Sequence, residues 1–156
     1  MLATVGYRKW INYARTSDGK QILLGLTMGL QTYYDDTGGY LDCSSSWADY
    51  YPIAKGPSGR KHLFHNRTHP DYACWRLFAP DIDAPTTLVF TVRAGEANTP
   101  LIKPPLKTTN INLGPAPTKP WYVLVAQGDS DNDGARSTFV ALSTQPGNII
   151  TETPEE

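Results

Sequence analysis

The stretch Arg15-Thr-Ser-Asp-Gly-Lys-Gln-Ile-Leu-Leu-Gly-Leu-Thr-Met-Gly-Leu-Gln-Thr-Tyr-Tyr-Asp-Asp-Thr-Gly-Gly-Tyr40 decides how this chain folds. With Ile22 at zero on a helical wheel, Leu23, Leu26, Leu30, Tyr33 and Tyr34 fall within an arc of roughly 120°, the width of a helix buried along one side. Leu24 and Met28 lie outside that arc, beside Trp10, so a second part of the surface is apolar and a second partner is implied. The Gly38-Gly39 pair is a helix stop. Upstream, Val5, Tyr7, Trp10, Ile11 and Tyr13 continue without proline as far as Leu2. The pattern therefore predicts one helix over 1–36, about 50 Å long at ~1.5 Å per residue, more than a compact domain of this size needs. Part of it should protrude.

The rest of the chain reads as a sheet. Region 37–71 is a polar, aromatic-studded connection containing Lys55-Gly-Pro-Ser-Gly59. Strand-like segments are expected at 72–78, 86–93, 121–127 and 137–142, giving an antiparallel sheet over 72–143. In the second, Leu88, Phe90 and Val92 share one face and Thr87, Thr91 and Arg93 the other, so that strand should be half buried. The interval 94–120 holds Pro100, Pro104, Pro105, Pro115, Pro117 and Pro120, too many for helix or sheet. A loop of about 25 residues without regular structure is uncommon and is usually functional or contact-forming. Gly128-Asp-Ser-Asp-Asn-Asp-Gly-Ala-Arg136 is a hairpin turn, and the tail 144–156 ends in a polar run expected to fray. The fold class is α+β in a single domain, 1–156: a long N-terminal helix packed on about four antiparallel strands.

Composition narrows function by exclusion. The net charge of −1, from 14 basic and 15 acidic residues, supplies no field for nucleic acid or an anionic membrane surface. The C-terminal part is acidic, with Arg136 alone against Asp129, Asp131, Asp133, Glu152, Glu155 and Glu156 between 121 and the end. Cys43 and Cys74 are the only cysteines and lack zinc-finger spacing. One disulfide between them is the simplest account, closing a loop worth roughly 3–4 kcal/mol of unfolded-state entropy outside reducing compartments. No run approaches the ~20 apolar residues that cross a bilayer.

Several residue groups could carry chemistry. Asp129-Ser-Asp-Asn-Asp-Gly134 places carboxylates at alternate positions, the first half of an EF-hand-like loop, but Val140 stands where the closing glutamate belongs. A calcium-stabilised turn using Asp129, Asp131 and Asp133 and a solvated hairpin turn are both open to it. His62, His65 and His69 are close in sequence, yet a strand would point His62 and His65 to opposite faces and Pro70 stops a helix. They read as solvated surface histidines. Asn66-Arg-Thr68 matches the N-glycosylation acceptor pattern. Trp47, Tyr50, Tyr51, Tyr72 and Trp75 form either a sugar-binding platform or loop packing near Cys43 and Cys74, with packing favoured. No nucleophile elbow or glycine-rich phosphate loop gives catalysis an anchor, and the chain reads as a non-enzyme.

Ala14 to Tyr40 resembles the second half of the long helix of bacterial type IV pilins and pseudopilins, with its Ala-Arg-x-Ser entry, paired aromatics and glycine-tyrosine exit. The hairpin from Val125 to Phe139 is similar to the closing hairpin of such subunits. The resemblance implies a structural subunit, major or minor, of a type IV pilus or type II secretion filament. Its helix, through Ile22, Leu23, Leu24, Leu26, Met28, Leu30, Tyr33 and Tyr34, would pack with other pilin subunits. It also implies an extracellular filament at the cell surface or in the periplasm, and anchorage in the inner membrane by an apolar half-helix. This sequence departs from the pattern there, with no leader cleavage site, long apolar segment or early glutamate, and is expected to be a truncated, soluble form. A secreted calcium-dependent carbohydrate-binding module using the aspartate turn and the tryptophans is the alternative, and a small hydrolase using the histidines the third.

Overall fold

Helix α1 spans Leu2–Thr37, in a computed structural model that describes residues 2–79, 82–129 and 132–152, with side chains from residue 17 onward. Leu23, Leu26 and Leu30 recur at helical spacing and are completely buried, with Ile22 and Tyr33 packed at the margin. Each fully buried leucine contributes about 1.5–3 kcal/mol. Gly38 ends the helix at φ 82°, and its N–H donates to the Tyr34 carbonyl at 2.7 Å. Only glycine takes this left-handed closing position without cost. Tyr40 folds back to stack on Tyr34, with ring centroids 4.7 Å apart, and meets Tyr122 edge-on. The tyrosines join the end of the helix to the sheet.

The sheet is antiparallel in the order β1-β2-β3-β4, from β1 (Val89–Gly95), β2 (Trp121–Gly128), β3 (Ser137–Leu142) and β4 (Ile149–Glu152). Its register pairs Val92 with Leu124, Leu124 with Ala141, and Val140 with Ile150. The expected four-strand α+β arrangement is present, but two of its members differ. The segment expected as a strand at 72–78 contains a one-turn helix, α2 (Tyr72–Trp75). Its apolar anchors Trp75 and Phe78 are both buried and lie three apart, a helical rather than a strand period. The fourth strand comes from the tail: Ile149 and Ile150 pair with β3, and Thr151 and Glu152, the start of the polar run expected to fray, extend the ladder.

Strict alternation divides the strands between two apolar layers. Phe90, Val92, Leu124, Ala126, Phe139 and Ala141 face α1 and share its core. Trp121, Val123, Val125, Val140 and Leu142 face the other way and are covered by Leu101, Ile102, Leu106, Ile111 and Leu113 of the proline-rich segment 94–120. That segment runs as irregular backbone, as expected, and acts as a strap over the second face. Every residue of β2 is buried as a result. The first four residues of β1 are buried too, including Thr91, so this strand is not half exposed as its alternation suggested.

The outer edge of β1 is closed by the connection after the helix. Tyr51 and Phe90 exchange backbone hydrogen bonds, Ser44 N–H donates to Val92 O, and the Asp42 carboxylate accepts from Arg93 Nε at 2.9 Å. Covering an edge in this way removes a template for unwanted strand pairing. Cys43 and Cys74 form the expected disulfide, joining this connection to α2.

Candidate functional site

The aspartate turn joins β2 to β3. Asp129 follows directly on β2, is only 6% exposed, and accepts from Gly134 N–H through Oδ2 at 3.1 Å. Its Oδ1 is buried with no hydrogen-bond partner among the described residues. Asp133 instead accepts from Ala135 N–H at 2.7 Å, and Asp131 lies outside the described residues. Asn132 and Gly134 turn the backbone with φ of 61° and 89°. Among the described residues, no group of three or more His, Cys, Asp or Glu is gathered closely enough to hold a metal. The unpaired Asp129 oxygen is nonetheless the kind of donor a hard cation takes, since a buried carboxylate oxygen without a partner is costly.

Beside this turn lies a cleft of about 960 Å³ built from the 53–70 connection. The connection is held rigidly. His62 exchanges backbone hydrogen bonds with Thr86 at 2.8 and 2.9 Å. Asn66 Nδ2 donates to Pro52 O at 2.8 Å, and Asn66 Oδ1 accepts from the Thr68 hydroxyl at 2.7 Å. Asn66 is thus engaged internally, and a glycan on its amide nitrogen would compete with the bond to Pro52. Beneath, Tyr51, Phe64 and Trp75 are fully buried, with Tyr51 stacked on Trp75 at 4.8 Å.

The histidines do not converge, and they are not all solvated as their sequence suggested. His69 is 7% exposed. Its Nδ1 accepts from Asp71 N–H at 3.2 Å, which places the ring proton on Nε2, where it donates to Tyr50 O at 2.9 Å. His69 is a structural peg between two loops. Burial raises the Asp71 carboxyl above its usual range, with nearby Asp49 adding to the shift and His69 opposing it. Burial likewise pushes the Tyr51 phenol up to about 12.

Of the five aromatic residues offered as platform or packing, Tyr51 and Trp75 are completely buried. Trp47 and Tyr72 are half-buried and pack against the two apolar layers, and the half-buried Tyr50 accepts from the Arg136 guanidinium through its hydroxyl. The helix carries a second apolar surface, as its wheel implied. Leu24 is 39% exposed and Met28 71%, and across a groove of about 490 Å³ from Met28 stands Leu77, itself 52% exposed. Gly29 is where the 72–79 segment crosses the helix, touching the Phe78 carbonyl. Tyr34 is half buried against Tyr40 rather than part of the exposed strip.

Glu152 is the engaged residue that sequence reasoning passed over. Its carboxylate accepts from the backbone N–H groups of Lys107, Thr108 and Thr109 at 2.7 to 2.9 Å and from the Thr108 hydroxyl at 2.9 Å. It ties β4 to the strap. The signal was the β-branched Ile149-Ile150 pair preceding it, which marks a strand rather than a loose end. No protein-family model, no curated protein and no solved structure matches this chain.

Proposed function

We propose that this chain is a structural subunit of a type IV pilus or type II secretion-type filament, acting by helix-mediated assembly rather than by turnover. The observation that carries the reading is the mismatch between α1 and what it packs on. At ~1.5 Å per residue, a helix of 36 residues runs about 54 Å. The longest strand, of 8 residues, runs about 27 Å at ~3.4 Å per residue. The sheet can cover only part of such a helix. Leu24 and Met28, exposed on the side turned from the core, offer a second packing surface. The disulfide supports a site of action outside reducing compartments, at the cell surface or in the periplasm. Within the same proposal the β2–β3 turn takes a calcium ion through Asp129, whose buried Oδ1 has no partner among the described residues.

The test is made in the native host. Filaments sheared from the cell surface should be labelled along their shafts by antibodies to this chain. A Leu24→Glu/Met28→Glu variant should accumulate as folded subunit without filaments, because exposed positions change subunit stability by only about 0.5 kcal/mol. Unlabelled filaments, or normal assembly of that variant, would sink the proposal.

A further inference from the structure

The 18 residues from Ile53 to Pro70 contain Lys55, Arg60, Lys61 and Arg67 and no Asp or Glu, in a chain whose overall charge is −1. None of these four cations is ion-paired among the described residues, where the one pair of permanent charges in contact is Arg93 with Asp42. Lys55, Arg60 and His62 line the 960 Å³ cleft together with Ser58, Thr68 and Asn132. Its floor is fixed by the Thr86 and Pro52 hydrogen bonds, so the cations stand on a wall formed before any ligand arrives.

We propose that this cleft binds an acidic oligosaccharide, with uronate carboxylates meeting Lys55 and Arg60 and sugar hydroxyls meeting Ser58, Thr68 and Asn132. The volume lies at the upper end of the ~300–1,000 Å³ range of ligand clefts, far more than one inorganic anion fills. A ligand of several linked rings suits it. Among the described residues no Trp, Tyr or Phe lines the cleft, so it lacks the broad aromatic platforms on which successive nucleobases stack. Its rim runs into the aspartate turn at Asn132, beside Asp133, so there is no continuous basic stripe along which a nucleic-acid backbone could track. Arginine gives bidentate hydrogen bonds to a carboxylate, and lysine a mobile point charge. No residue of α1 lines the cleft.

Calorimetric titration of the chain with oligogalacturonate, a neutral dextran oligosaccharide of equal length and a single-stranded oligodeoxynucleotide tests the assignment. The expected result is oligogalacturonate binding that weakens with salt, little dextran binding, and at least about a tenfold loss of affinity in Lys55→Gln/Arg60→Gln. Both side chains are exposed, so the thermal melt of that variant should match the parent, and Lys55→Gln alone serves as a second variant with an intermediate loss. Absent uronate binding, binding indifferent to both variants, or equal or tighter binding of the oligodeoxynucleotide would each overturn the assignment.

Discussion

Glu152 sits where the chain first looked least informative, and its chemistry gives the plainest measurable consequence at the scale of single residues. Burial alone would raise its carboxyl, but the N–H groups of Lys107, Thr109 and Thr108 and the Thr108 hydroxyl outweigh that and bring it from 4.5 down to about 2. A folded-state value below the unfolded one means that the contribution to stability is complete above about pH 4.5 and is lost as pH falls toward about 2. The melting temperature should therefore fall through that window, and in Glu152→Gln the fall should be shallower. That substitution should also cost about 2 kcal/mol at neutral pH, by loss of charge-assisted hydrogen bonds, read from denaturant unfolding. Asp129 leads to a second test. Calcium should raise the melting temperature, and a chelator should reverse the gain, by mass action on the folded state. An unchanged melt removes the ion. The two acids also show what could be read in advance: Asp129 belongs to a turn whose Asp-x-Asp-x-Asp-Gly pattern is visible in sequence, whereas the partners of Glu152 lie more than 40 residues away in a loop. Nothing local marks such a pairing.

At the scale of elements, α1 was legible because a period of 3.6 persists through Ile22, Leu26, Leu30 and Tyr33, and Gly38 supplies the stop. The strands β2 and β3 were legible for the same kind of reason, as short β-branched runs flanking a turn. The segment 72–78 was not, since Tyr72, Cys74, Trp75 and Phe78 satisfy either period in so short a run. Its place is set by contacts distant in sequence: the Cys43 disulfide and the crossing at Gly29. This crossing separates two glycines that look alike in sequence. A Cβ at Gly29 would collide with the Phe78 carbonyl, so Gly29→Ala should destabilise the chain by about 2 kcal/mol. Gly25 faces open space, and Gly25→Ala should stabilise it by about 0.5–1 kcal/mol through helix propensity. Equal effects in urea unfolding would show that the segment does not cross the helix there.

For the whole molecule, three irregular segments close around one sheet: the connection after α1 along the β1 edge, the strap over the outer face, and the cleft-forming loop above the aromatic core. The disulfide joins the first of these to α2 across a sequence separation of 31, so that it encloses the third. Reduction should lower stability by roughly 3–4 kcal/mol and expose Trp75, seen as a red shift of tryptophan emission on adding thiol. A melt insensitive to reductant would mean that the aromatic stack alone holds the loop. The sequence pointed to a single covered face for the sheet, because α1 is its one long amphipathic element; a proline-rich run has no period by which its inward residues can be recognised. Yet Leu101, Ile102, Leu106, Ile111 and Leu113 are those residues. A cover of this kind is constrained by its few inward side chains and by the amides that meet Glu152, and not by any repeat along its length. The outer wall can therefore drift through mutation, acquiring new polar and charged groups between those anchors, while the sheet beneath keeps its register and the molecule its shape.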